Sequence, residues 1–213
     1  SLIYVGWNPF GNINNYMIGR LNNYVEVAGD HFYDRAAYIR AEKEFNIRVA
    51  PDVMHRLGGR TALNDITNLG QGKAARYLKH IPISKYEGTV DTFRMMDKKS
   101  DIREQGDTTG RKGWFSRMAE WGFVVQDSME YNVQTKVGVA VLMSWKVRKK
   151  GGTETMSLYD ALQFDRKTGQ VDLDPNEWVV IDYRTGEERE WSDETRYEIR
   201  NYIRETNKQI HGN

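Results

Sequence analysis

The chain has 213 residues, with 31 Lys and Arg against 30 Asp and Glu, a net charge of +1, 39% hydrophobic residues and no Cys; 6 Trp, 12 Tyr and 7 Phe are present. A chain of this length can bury roughly 70% of its extended surface, and its aromatic content excludes wholesale disorder. The absence of Cys excludes a disulfide framework, a thiolate metal site and a cysteine nucleophile, the balanced charge argues against a dedicated polyanion binder, and the sequence has neither a membrane-length apolar run nor the basic-then-apolar layout of a signal peptide.

In chain order, Ser1 stands where an initiator Met would, and the chain enters apolar residues at once, so a fragment is expected, either a processed product or the ordered part of a longer chain. Asn8, Asn12, Asn14, Asn15, Asn22 and Asn23 among Gly6, Gly11 and Gly19 form a turn-rich composition, which predicts mostly loop over residues 1–29. Apolar Phe32, Ala36, Ile39 and Phe45 separated by charges predict a helix from His31 to Phe45, with Asp30 as its cap. Pro51 and the Gly58-Gly59 pair break the chain, and a short helix is predicted from Gly72 to His80, stopped before Pro82.

Residues 98–113 carry almost no apolar side chain and three Gly, marking a solvated loop. This loop divides an irregular and helical region (1–97) from a region (114–213) holding a long helix, a hairpin and a C-terminal helix. In the latter, Trp114, Met118, Trp121, Val125, Met129, Val133, Val137, Val141 and Trp145 recur at helical steps. Val133, Thr135, Val137, Val139 and Val141 also alternate with period two, and Gly122 and Gly138 weaken a helix by about 1 kcal/mol each, so strand competes with helix over 133–147. Helix is the simpler reading. A turn at Lys149–Gly152 and a capped short helix at Ser157–Gln163 follow. Trp178–Asp182 and Glu187–Trp191 flank a Tyr-Arg-Thr-Gly turn, a hairpin pattern. Ser192 then caps a helix with Asp193 and Glu194 in its first turn and Ile199, Tyr202, Ile203, Thr206 and Ile210 on one side. The fold class expected is mainly α, an elongated helical segment with a small β-hairpin near its C-terminus.

Candidate chemistry is sparse. Gly70-Gln-Gly72-Lys73-Ala74 has Thr67 where a phosphate loop needs its first Gly and Ala74 where it needs the magnesium-binding hydroxyl, so a helix-entry turn is expected. His31, His55, His80 and His211 are too far apart to share a helix face and hold zinc. Asp172 and Asp174 could ligate a metal, but this spacing is common in acidic turns, and a Gly-x-Ser-x-Gly nucleophile turn is absent. Neither a catalytic residue, a metal ligand nor a cofactor is assigned. Arg196, Arg200, Arg204 and Lys208 form a basic ridge along the last helix and are the candidates for nucleic-acid contact; Glu194, Glu198 and Glu205 interleave with them, as on an ordinary mixed surface helix.

The run Glu130-Tyr-Asn-Val-Gln-Thr-Lys-Val-Gly-Val-Ala-Val-Leu-Met-Ser144, followed by Ser157-Leu-Tyr-Asp-Ala-Leu162, resembles a pattern in very large virion proteins of crAss-like tailed bacteriophages. There a glutamine-bearing helix ending in an Ala-x-Leu-Met type run precedes an SLYDAL-like element. The resemblance covers roughly residues 114–180 and carries no catalytic motif. It implies a cargo protein held inside the capsid or tail and ejected with DNA, with portal, tail or further cargo chains as partners. Its alternative is a nucleic-acid-contacting, non-catalytic part of a virion RNA polymerase, since the Asp-x-Asp-Gly-Asp signature of that enzyme is missing where Asp172-Leu-Asp174 runs into Pro175. Finally, Tyr202, Ile203, Ile210, Trp114, Trp121 and Trp145 offer more apolar face than one hairpin covers, so burial against other protein is expected.

Overall fold

A computed structural model describes residues 9–49, 84–95 and 114–212, with side chains described for 14–47, 84–95 and 129–212. The first element corrects the loop expected over residues 1–29: Pro9–Gly29 is a 21-residue helix, α1. Gly19, Asn22 and Asn23 serve helix packing instead of turns. Asn23 is fully buried and its amide donates to the Tyr38 hydroxyl and the Val133 carbonyl, while Asn22 donates to the Ile210 carbonyl. Gly19 lets the helix approach so closely that a Cβ there would lie 3.0 Å from Val133 Cγ1. Long-range hydrogen bonds and close approach override the local preference of these residues for turns.

The second helix is also displaced from its expected start. Asp30 adopts φ 54° in the turn that ends α1, and Asp34, whose carboxylate accepts the Ala36 N–H, caps α2 at Arg35–Glu44. A π-helical turn, Phe45–Val49, continues it. Helix α3, Lys85–Phe93, opens with a capping box in which the side chains of Ser84 and Glu87 satisfy each other's backbone N–H. The predicted helix at 72–80, the loop at 98–113, the Gly70–Ala74 turn, His55 and His80 lie outside the described residues.

Helix α4, Trp114–Ser144, has 31 residues and is about 46 Å long. Helix therefore prevails over strand to residue 144, and strand β1 (Lys146–Lys149) begins just after Trp145. The period-two pattern misleads because every residue from Thr135 to Trp145 is buried, so apolar or small residues occur on all sides of the helix, with Lys136 the one charged side chain among them. At Gly138 a Cβ would come within 3.1 Å of Ile203 Cγ2, which is how closely the C-terminal helix lies against α4.

The β structure exceeds the single hairpin expected. β1, β2 (Thr155–Ser157), β5 (Trp178–Ile181) and β6 (Glu188–Glu190) form an antiparallel sheet in the order β2-β1-β5-β6, with Val147 opposite Val180 at its buried centre. Helix α5 (Leu158–Ala161) and a two-stranded ladder of β3 (Gln163–Phe164) and β4 (Val171–Asp172) interrupt the sheet strands. The predicted hairpin is β5-β6, with Gly186 at φ 71°. Helix α6 (Asp193–His211) starts at the predicted Ser192 cap, with Asp193 and Glu194 at the positive end of its dipole and Gly212 closing it in the left-handed region.

One core joins these elements. Val27, Tyr38, Phe45 and Phe93 from the N-terminal helices bury with Val137, Leu142 and Trp145 of α4 and Ile199 and Ile203 of α6. The apolar face expected to be uncovered is thus covered internally at two of its positions: Trp145 and Ile203 are 1% exposed, and the Tyr202 ring packs at a tilt against Trp145, 6.2 Å between centroids, while its hydroxyl donates to the Phe32 carbonyl. The side chains of Trp114 and Trp121 lie outside the described set. Among the described residues no helix is long and apolar enough to cross a membrane.

Candidate functional site

The SLYDAL element is a capped plug. Ser157 Oγ accepts the Asp160 N–H, Leu158, Tyr159, Ala161 and Leu162 are buried, and the Asp160 carboxylate turns outward to accept from Ser157 Oγ and from both Arg40 guanidinium nitrogens. Burial works to raise the Asp160 pKa, but the hydrogen bonds from Arg40 and Ser157 outweigh it and hold the carboxyl below its usual value. The element ties α5 to α2.

The Asp172 and Asp174 pair is structural too. Asp172 Oδ1 accepts the Trp191 indole N–H at 2.9 Å and Arg196 Nη2 at 2.9 Å, and Asp174 accepts the Asn176 N–H in a tight turn. A cleft of about 380 Å³ lies where the start of α2, the end of α4 and the β5-β6 turn meet, with Asp30, Asp34, Asp182, Lys146 and Tyr183 on its wall. Burial, followed by the charges of Asp30, Asp34 and Glu26, pushes the Tyr183 phenol up. Two of its acids hold the backbone: Asp34 caps α2, and Asp182 Oδ1 accepts the Arg184 and Thr185 N–H groups while its Oδ2 lies 3.6 Å from both Arg184 and Arg189. No group of three His, Asp or Glu among the described residues is placed to hold a metal ion.

The basic ridge divides. Arg196 is fixed on Asp172 and over the Trp191 ring, 5.3 Å from its centroid. Arg200, Arg204 and Lys208 have no ion-pair partner among the described residues, and the exposed Tyr197 shares their side of α6, three, seven and eleven residues before them. Glu198 is neutralised by Arg189, which leaves Glu194 and Glu205 beside the ridge.

The surface that sequence reasoning missed is on α1. Gly19, Asn23 and Val27 face inward, while Met17, Ile18, Leu21, Tyr24 and Val25 are 58%, 56%, 61%, 43% and 64% exposed on the outer side. These side chains form a contiguous apolar stripe along the helix. The signal was present, since these residues recur at steps of three and four, but the Asn and Gly among them pointed to loop. The only charge within this stretch, Arg20, turns sideways onto Glu42 at 2.8 Å and onto the Tyr16 and Tyr24 rings.

Comparison with protein-family models, curated proteins and solved structures finds no match to this chain. The functional reading therefore stands on the residues themselves. Among the described residues, the feature that stands out is the apolar outer face of α1.

Proposed function

We propose that this chain is a structural segment of a virion cargo protein of a tailed phage, an elongated, amphipathic helical piece held inside the capsid or tail, ejected with DNA, and working by contact with further virion protein without catalysis of its own. The observation that carries the reading is the outer face of α1, where four aliphatic or thioether side chains and a tyrosine stand more than two-fifths exposed on one helix. Solvent-facing helix surfaces are normally polar, so a face of this kind is kept for protein contact. The likeness of Glu130–Ser144 and Ser157–Leu162 to crAss-like phage virion proteins supplies the context, with portal, tail or further cargo chains as the partners. Mass spectrometry of intact virions tests it: peptides from this chain, stoichiometric with other internal proteins, are expected, and their absence from purified particles would end the proposal.

A second reading, a nucleic-acid-contacting module, is favoured by Arg200, Arg204 and Lys208 standing beside the exposed Tyr197, since cations can follow phosphates while an aromatic ring stacks a base. DNA binding that weakens steeply with salt, with a slope reduced in the Arg200→Ala/Arg204→Ala variant, is the outcome that selects this reading.

A further inference from the structure

Seven of the exposed residues of α1 have an internal symmetry. Asn14, Met17, Ile18, Leu21, Tyr24, Val25 and Ala28 are all exposed, and they lie in pairs about Leu21: Ile18 and Tyr24 three residues to either side, Met17 and Val25 four, Asn14 and Ala28 seven. This is the three-four spacing by which one helix presents a seam to another. We propose that α1 pairs antiparallel with α1 of a second copy of this chain, about a twofold axis at Leu21. The proposal rests on reading the α1 face as a protein-packing surface, and it names the partner.

Three observations select a second copy. First, antiparallel pairing about Leu21 sets Met17 against Val25 and Asn14 against Ala28, so long side chains meet short ones and knobs find room. Second, the face carries no charge: Arg20 is drawn onto Glu42, and Glu26 accepts the His31 and Phe32 N–H groups. An uncharged face meets its own image without like-charge repulsion, while it gives a different protein no charge by which to be told apart. Third, about half of each of five large side chains is open, on the order of 500 Å² per copy, and two copies together reach the ~1,000 Å² at which specific interfaces begin. That area fits a weak, reversible dimer.

Sedimentation of the whole chain from about 1 to 200 µM is expected to give a monomer–dimer equilibrium with a Kd of about 10 µM. Leu21→Glu should weaken association at least about tenfold with unchanged helical circular dichroism, and mixing it with Leu21→Lys should restore it. Because the chain has no Cys, Leu21→Cys should form a disulfide-linked dimer under mild oxidation, whereas Cys at the equally exposed Ile47 should not. The crosslink decides the matter even where a charged variant fails to fold. A monomer at the highest concentration, or crosslinking at position 47 equal to that at 21, overturns the proposal. A monomer that virion mass spectrometry nonetheless finds in particles overturns the self-pairing alone and leaves the packing role to another partner; a dimer made by a chain absent from particles does the reverse.

Discussion

Gly88 of α3 lies so near the carbonyl oxygen of Gly169, in the turn between β3 and β4, that a Cβ on Gly88 would stand 2.5 Å from that oxygen and 2.7 Å from Phe164 Cε2. Thr92 Oγ1 on the same helix accepts the Val171 N–H at 3.1 Å. These contacts seat the N-terminal half of the sequence on the C-terminal half.

Gly88→Ala is therefore expected to destabilise by up to about 2 kcal/mol, because an overpacking cost of about 1–3 kcal/mol exceeds the roughly 1 kcal/mol that Ala gains in a helix. Gly152→Ala, where a Cβ would meet nothing nearer than 3.4 Å, should stay within about 0.5 kcal/mol of the parent. Urea unfolding of both variants checks the contrast, and equal effects would show that α3 does not dock as described.

The Ser157 cap and its Asp160 partner predict a pH dependence. Ser157→Ala should cost about 1 kcal/mol through the lost cap. The Asp160 carboxyl is held below its unfolded value, so its contribution is present above the unfolded pKa and is lost as pH falls through the folded one. Thermal melting between pH 7 and pH 3 should thus show a flatter acid limb for Asp160→Asn than for the parent. Identical limbs would mean that the Arg40 pairing does not persist in solution.

Elements specified by local chemistry were legible in the sequence. The Ser157 and Ser192 caps, the Gly186 turn and the apolar steps of α4 each contain their own signal within a few residues. What was illegible depends on distant partners. Asn22 and Asn23 read as turn formers until Ile210 and Val133 are seen accepting from them across 188 and 110 residues. Strand β2 has only three residues, and its identity comes from pairing with β1. The α1 face was hidden by the same error, whereas Arg196 looked available on its helix and is in fact held by Asp172.

A buried ion pair gives a third prediction. Lys136 is 2% exposed in the C-terminal half of α4, with its Nζ 3.2 Å from Glu42 Oε1 and 5.2 Å from the Phe45 ring centroid. Burial lowers its pKa more than Glu42 restores it, while the Glu42 carboxyl, raised by burial, is brought lower overall by Lys136, Tyr24 and Arg20. Glu42→Gln leaves an ammonium in the core without its carboxylate and should cost about 3–5 kcal/mol. Lys136→Met should cost less, since Glu42 keeps Arg20 and Tyr24 and the thioether fills the stem's space. Chemical denaturation of the single and double variants measures the coupling; a Glu42→Gln loss below that of Lys136→Met contradicts the assignment.

The last prediction concerns His211, in the final turn of α6. Its Nε2 has no hydrogen-bond partner, and burial depresses its pKa to about 4. Two effects oppose each other here. The negative end of the helix dipole favours an imidazolium by about 0.3–1 kcal/mol, while burial disfavours it more strongly, so desolvation wins. In the folded chain the ring is neutral where the unfolded chain already binds a proton. Stability is then fully present above about pH 6.5 and falls as pH drops toward about 4. Urea midpoints at intervals from pH 7.5 to 4.5 should decline in the parent and decline less in His211→Gln. Proton NMR of the folded chain supplies a direct check: an imidazole at position 211 that titrates near its unfolded value would show that the end of α6 opens to solvent, and the midpoints of parent and variant would then run parallel.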